Sequence, residues 1–232
     1  MALKDDLTSQ IGAIFKNSWS ETKGRVVPVP SDVGLGNKGT LLEQAVVLYA
    51  DLDGSTSMVD TMKWQAAAEI YKTFLLCAAR IIKSENGDIT AYDGDRIMAI
   101  FIGENKQDRA ARAALKLRWA ELQIIEPQMK VVYKNSEFRI KHTVGIDISD
   151  LRAVRTGVRG DNDLVWVGRA ANYAAKLTTL SSDYPTRITK ALYDGLSSSL
   201  RISNGKPMWE ERFWTPMSDM KIYRSNWWWS FA

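Results

Sequence analysis

The sequence predicts an α/β sandwich of the ferredoxin-like or polymerase-palm kind, an α+β domain preceded by a helical arm. Three observations predict it. Residues 45–50, AVVLYA, are a near-continuous apolar run that suits a strand buried on both faces. Two later segments, from about Met62 to Ile82 and over 106–123, carry apolar residues at helical spacing. Between them, Tyr92-Asp93-Gly94-Asp95 separates two short apolar runs, and Asp-Gly is a strong hairpin signal.

Taken in order, Leu7, Ile11, Ile14 and Phe15 give residues 5–17 the stripe of a short amphipathic helix, open to packing on its own domain, a partner subunit or a membrane surface. Its polar face lacks the strong positive charge of a membrane-surface helix, which favours the first two. Glycines and prolines across 22–40 read as a loop or arm, so residues 1–40 form an N-terminal helix and arm and 41–232 the main domain. The strand ending at Asp51 leads into the long helix containing Met62, Ile70, Phe74, Ile81 and Ile82, with Gly87 as its cap. Residues 89–92 and 96–102 form the hairpin. A helix over 106–123 presents Ala110, Ala113, Ala114, Leu117 and Leu122. Strands follow at 138–146, at 151–158 as its neighbour and at 164–167, then a helix from Arg169 to Leu180. The chain closes in an aromatic strand near Trp227-Trp228-Trp229.

Composition narrows the function classes. The 232 residues are 45% apolar and 25% charged, enough for a sizeable core, so disorder is not the default. The formal charge of +4 is mild and its basic residues are scattered, which suits an anionic small molecule and argues against nucleic acid. The lone Cys77 can form neither an internal disulfide nor a cysteine-based zinc site. No apolar run is long enough to span a bilayer and the first ten residues lack a signal-peptide core, so a cytoplasmic protein without stable membrane insertion is expected. The tryptophan cluster admits contact with a membrane interface, although such clusters more often close a core or a dimer face.

Asp51 and Asp95 are the first candidates for chemistry. Each stands where an apolar strand meets a turn, and in a sandwich of this kind the first strand lies beside the hairpin. Two carboxylates converging on one sheet edge supply hard oxygen ligands for Mg²⁺ or Mn²⁺, with substrate phosphates supplying others. The backbone carbonyl of Leu52 is a reasonable further ligand. The alternative readings are a helix N-cap for Asp51 and a turn residue for Asp95, with Asp53 and Asp93 as rival carboxylates.

These residues resemble a known family. Tyr49-Ala50-Asp51-Leu52-Asp53-Gly54-Ser55-Thr56 resembles the first metal motif of class III nucleotidyl cyclases. Asp93-Gly94-Asp95-Arg96 and the following Ile97-Met98-Ala99-Ile100-Phe101 resemble the second. Val167-Gly168-Arg169-Ala170-Ala171-Asn172-Tyr173-Ala174-Ala175-Lys176-Leu177 is similar to the helix that supplies transition-state residues, and His142–Ile146 fits the strand between. The resemblance covers roughly residues 43–182, and three motifs in order are far more specific than one. It implies two divalent ions per site and a homodimer with composite active sites. One chain gives Asp51 and Asp95. The other gives Asn172, to orient the ribose, and Lys176, to meet charge developing on the phosphate. The family usually has arginine where this chain has Lys176, which keeps the charge but loses the forked geometry. Lys176 also reads as a solvated helix lysine.

The base is the next question. Purine cyclases of the family read it with two polar residues, at positions occupied here by Ala91 and Val165, and neither can make a base-specific hydrogen bond. Tyr49 and Arg96 flank the metal aspartates and could narrow the pocket and donate to a pyrimidine carbonyl. They also read as a strand core residue and a solvent-facing hairpin residue. These features are similar to the bacterial pyrimidine cyclases of the Pycsar anti-phage system, which implies a phage-triggered cyclase making cyclic UMP or cyclic CMP for an effector outside direct contact. Uracil, with two carbonyl acceptors for Arg96, makes UTP the favoured substrate, with CTP or a purine nucleotide as alternatives. A diguanylate cyclase would need a Gly-Gly-(Asp/Glu)-Glu-Phe hairpin, which is absent. A silent nucleotide-binding dimerisation module is the non-enzymatic alternative.

Overall fold

A computed structural model describes residues 2–134, 136–158 and 160–231. Helix α1 (Leu3–Lys16) leads into strand β1 (Ser20–Lys23) and a loop. The domain then runs through β2 (Lys38–Leu52), α2 (Ser55–Thr61), α3 (Trp64–Ser84), β3 (Asp88–Asp93), β4 (Arg96–Phe101), α4 (Lys106–Ala120), a π turn over Glu121–Ile125 and α5 (Glu126–Val132). Next come β5 (His142–Val158), β6 (Asp161–Val167), α6 (Arg169–Leu177), β7 (Thr186–Thr189) and α7 (Lys190–Asp194). The short pair β8 (Ile202–Ser203) and β9 (Lys206–Pro207) stands apart, and β10 (Glu210–Trp214) and β11 (Met220–Ser225) complete the main sheet.

The main sheet runs β10-β11-β7-β5-β2-β4-β3. Its β5-β2-β4-β3 segment is antiparallel throughout, with α3 inserted between β2 and β3 and α4–α5 between β4 and β5. That is the split βαβ order of the ferredoxin-like sandwich expected from the sequence. Alternation along β2 sends Val46, Leu48, Ala50 and Leu52 into the core under α3 and α4. Ala67, Ile70, Phe74, Ala78, Ile81 and Ile82 form the buried stripe of α3, and a run of alanines lets α4 lie close to the sheet. The opposite face, with Ala45, Val47, Met98 and Ile100, is covered by Ala170, Ala171 and Ala174 of α6.

Several expectations change in detail. The predicted strands 138–146 and 151–158 are one continuous β5 rather than neighbours. Asp150, in the gap between the two predicted strands, lies opposite a bulge in β2, where Gln44 (φ 48°) donates its backbone N–H and Nε2 to Asp150 Oδ1 at 2.9 and 3.0 Å. The long helix is interrupted at Met62-Lys63, where both residues are extended. Asn86 (φ 54°), not Gly87, takes the left-handed position after α3, and Gly87 is needed because a Cβ there would meet the Phe101 ring at 2.6 Å. Part of the predicted arm pairs as β1 with the start of β2. No strand forms over Trp227–Trp229. The segment lies across α4, with the Trp229 N–H donating to the Leu115 carbonyl at 3.1 Å and Trp227 and Trp229 packing on the core. The predicted α1 forms, but its stripe of Leu3, Leu7, Ile11, Ile14 and Phe15 is exposed. No helix is long and apolar enough among the described residues to cross a membrane.

Candidate active site

The site sits at the end of β2, beside the β3–β4 hairpin. Odd-numbered residues at this end of β2 face away from α3, so Asp51 shares the α6-side face with Val47 and Tyr49. On β4 the even-numbered residues Met98 and Ile100 share it, and so does Arg96. Ala91 arrives there through a β-bulge. Ile89 pairs with Ala99, but Ala91 pairs with Met98, so the intervening Thr90 shifts Ala91 to the site face. Simple alternation from Ile89 would not have predicted that.

The hairpin closes on the Asp93–Arg96 pair, leaving Gly94-Asp95 as a two-residue loop. The glycine that the Asp-Gly signal picked out is the first loop residue, and its φ of 61° is the conformation that glycine supplies there. Asp95 therefore occupies the tip. Its Oδ2 is buried and has no hydrogen-bond partner among the described residues. A buried carboxylate oxygen without a partner is costly, and a bound cation would offset that cost.

Asp51 is only partly exposed. Arg96 donates to its Oδ2 from Nε at 3.1 Å and from Nη2 at 2.7 Å. Burial pushes the Asp51 carboxyl above its ordinary range, Arg96 pulls it back, and the nearby Asp95 and Asp93 push it up again, with a net rise. Burial likewise raises the Tyr49 phenol, against the opposing charge of Arg96. Both observations put Tyr49, Asp51, Asp95 and Arg96 within one electrostatic neighbourhood.

The rival carboxylates are placed differently. Asp53 is exposed and accepts from the Ser182 hydroxyl, and Asp93 is exposed on the far hairpin strand. Asp51 is not a helix N-cap, since Gly54 holds that position before α2. The Asp53 N–H donates to the Lys141 carbonyl at 2.9 Å. Alternation along β2 then turns the Leu52 carbonyl away from β5, toward the hairpin side, where the β2–β4 register stops at Ala50–Ile97. Two carboxylates and one carbonyl are hard oxygen donors of the kind a divalent cation takes. No group of three His, Cys, Asp or Glu side chains able to hold a metal forms among the described residues, so remaining ligands would come from water or substrate.

Asn172 and Lys176 lie one turn apart on the exposed side of α6. Neither makes a hydrogen bond or ion pair to Asp51 or Asp95; Lys176 Nζ lies 3.8 Å from Met217 Sδ. Val165 is exposed on β6, which pairs with the outer half of β5. One chain thus brings together Tyr49, Asp51, Leu52, Ala91, Asp95 and Arg96, and leaves Asn172, Lys176 and Val165 facing solvent.

Sequence reasoning missed what holds α6. The fully buried Asp147 receives Arg169 Nε and Nη2 at 3.0 and 3.2 Å, and Arg169 also donates to the Ile148 carbonyl at 2.7 Å. No local pattern links two residues 22 positions apart. The only available signal was an aspartate inside an otherwise apolar strand.

No protein-family model matches the sequence. The chain is 54% identical over 230 residues to a uridylate cyclase of Xanthomonas perforans, spanning 99% of each chain. It is 52% identical over 231 residues to a uridylate cyclase of Burkholderia cepacia, spanning 99% of this chain and 100% of that one. A uridylate cyclase of Rhodovulum sp. (strain MB263) is 35% identical over 235 residues, 98% of each chain. Among solved structures, the guanylyl cyclase Cya2 superposes with a TM-score of 0.67 at 16% identity, covering 79% of this chain and 91% of that one. The adenylyl cyclase CyaB from P. aeruginosa gives 0.63 at 17% identity, covering 81% and 95%. At such low identity these two likenesses speak for the fold.

Proposed function

This chain belongs to the uridylate cyclase family of nucleotidyl cyclases, with the class III cyclase fold, and from that membership we propose that it converts UTP to 3′,5′-cyclic UMP and pyrophosphate. The observation that carries the reading is the buried, unpartnered Oδ2 of Asp95 on the same turn that delivers Arg96 to Asp51.

Asp51, Asp95 and the Leu52 carbonyl would hold two Mg²⁺ or Mn²⁺ ions. When bound, such ions lower the barrier to attack by the ribose 3′-oxygen and stabilise the departing pyrophosphate. The reaction forms a bond from the 3′-oxygen to the α-phosphorus, breaks the bond from that phosphorus to the pyrophosphate oxygen, and passes the 3′-hydroxyl proton to water. The residues of the chain do the rest. Asn172 orients the ribose by hydrogen bonding, and Lys176 places a cation where charge develops on the phosphate. Arg96 donates to a uracil carbonyl, while Tyr49 narrows a pocket whose Ala91 wall offers a purine no polar partner. Because Asn172 and Lys176 are exposed and make no bond to the aspartates of their own chain, they act on the site of a second copy in a homodimer with two composite sites. Cyclic UMP would then serve as a messenger in anti-phage defence, acting on a separate effector.

Competition among the four ribonucleoside triphosphates with Mn²⁺ tests the assignment. Cyclic UMP is the expected main product. Predominance of cyclic CMP would shift the reading to a cytidylate cyclase, since cytosine keeps one carbonyl for Arg96. Predominance of a purine product would overturn the pocket argument. Plaque assays comparing host cells whose chromosomal gene is wild type with cells carrying Asp51→Ala test the defence role, and equal plaquing would remove it.

A further inference from the structure

We propose that Arg96 masks Asp51 in the metal-free chain and passes to the nucleotide base only when a divalent cation takes Asp51. The inference rests on the cyclase reading above and adds an order to it: the cation binds before the base is read.

The geometry is specific. Both Arg96 donors converge on a single oxygen, Asp51 Oδ2, at 3.1 and 2.7 Å. The side chains are only 32% and 16% exposed, so the pair is poorly screened. A cation coordinated by Asp51 would stand at contact distance from the guanidinium, and like charges that close repel strongly outside bulk water. One must leave. Arg96 is the first residue of β4, next to the two-residue loop. Its backbone stays fixed by pairing with Asp93 while its long side chain changes rotamer. The displaced guanidinium remains on the face it shares with Tyr49 and Ala91, where the base would lie. Asp93, across the hairpin, keeps it near by charge. One event therefore unmasks a metal ligand and frees the base-reading donor. Without the cation both functions are mutually blocked, and the chain cannot engage a pyrimidine through Arg96.

The test is Mn²⁺ binding without nucleotide, followed by electron paramagnetic resonance of the free ion. Wild-type protein is compared with R96Q, R96K and D51N. R96Q should bind Mn²⁺ about tenfold or more tightly than wild type. R96K, which keeps the charge but loses the two-donor fork, should fall between. D51N should bind weakly. If R96K matches wild type while R96Q binds tightly, net charge alone sets affinity and the handover is overturned. Equal affinity of all three Arg96 forms also overturns it, while wild-type turnover of UTP leaves the cyclase reading standing. If D51N binds Mn²⁺ as wild type does, both the handover and the Asp51 ligand assignment fall. In a second readout, the Arg96 Nε–H resonance of wild-type protein should be protected from exchange without metal and lose that protection on adding Mg²⁺. A resonance unchanged by saturating Mg²⁺ would sink the proposal.

Discussion

A Cβ built on Gly145 would stand 2.1 Å from the carbonyl oxygen of Ala174, so α6 rests directly on the backbone of β5. Gly168 plays the same part where the helix begins, since a Cβ there would lie 2.5 Å from the Asp150 carbonyl oxygen. The Arg169–Asp147 pair then locks the first turn. The positions of Asn172 and Lys176 are thus set by two bare backbone contacts and one ion pair anchored on the buried Asp147.

Gly145→Ala is expected to lift α6 and to cost stability and activity together. Overpacking of this kind costs about 1–3 kcal/mol. Activity should fall further than the fraction unfolded explains, because Asn172 and Lys176 move with the helix. Thermal melting and pyrophosphate release on the same preparation check this. A variant as stable and as active as wild type would mean that the helix does not need this contact.

Asp95→Asn separates chemistry from folding. The Oδ2 of Asp95 is buried with no partner among the described residues, so replacing it breaks no protein hydrogen bond there. The variant should melt at or above the wild-type temperature and lose cyclisation by about 100-fold or more, the usual scale for removing a charge-stabilising group from an active site. A melting temperature well below wild type would recast Asp95 as a structural turn residue.

Much of the domain was legible because its signals are local. The apolar run before Asp51, the Asp-Gly hairpin and the alanine-rich stripe of 106–123 each report on their own neighbours in sequence. The misses share a different cause. The gap between the predicted strands 138–146 and 151–158 closes into one strand only once its partner, the bulge at Gln44, is known. Ala91 belongs to the site face only because Thr90 bulges. Trp227–Trp229 has the composition of a strand, but these residues find their partners on α4 and the core rather than on a sheet edge. The Arg96–Asp51 contact joins residues 45 positions apart, and no spacing rule announces it.

Acid stability should depend on Glu121, which is buried in the π turn. Its Oε2 lies 2.5 Å from His142 Nδ1, and its Oε1 lies 2.5 Å from Arg118 Nη1. Burial pushes its carboxyl up, but His142 and Arg118 outweigh that and hold it below the usual value of 4.5. A lowered carboxylate contributes stability that is fully present above its unfolded value and is lost as pH falls through the folded value. Glu121→Gln should therefore be less stable than wild type at pH 7, by about 3–5 kcal/mol for breaking a buried pair. The gap should narrow as pH drops below 4.5. Urea melts across pH 3–7 test this, and a gap that stays constant would mean the charge on Glu121 is not what matters.

The strongest test of composite sites is complementation between two dead chains. Asp95→Ala removes a ligand on one side of the site, and Asn172→Ala removes the ribose contact on the other. In a heterodimer of the two, one site collects both lesions. The other receives Asp51, Asp95 and Arg96 from the Asn172→Ala chain and Asn172 and Lys176 from the Asp95→Ala chain, so it is intact. Each heterodimer should then recover about half of wild-type activity, one site of two, as the isologous symmetry of a dimer requires. Co-expression with two affinity tags isolates the heterodimer, and cyclic UMP formation is read against both parent variants. If each chain instead supplied Asn172 to its own aspartates, every site would carry one lesion and no activity would return. The exposed placement of Asn172 and Lys176, without a bond to Asp51 or Asp95 in the same chain, is why recovery is the expected result.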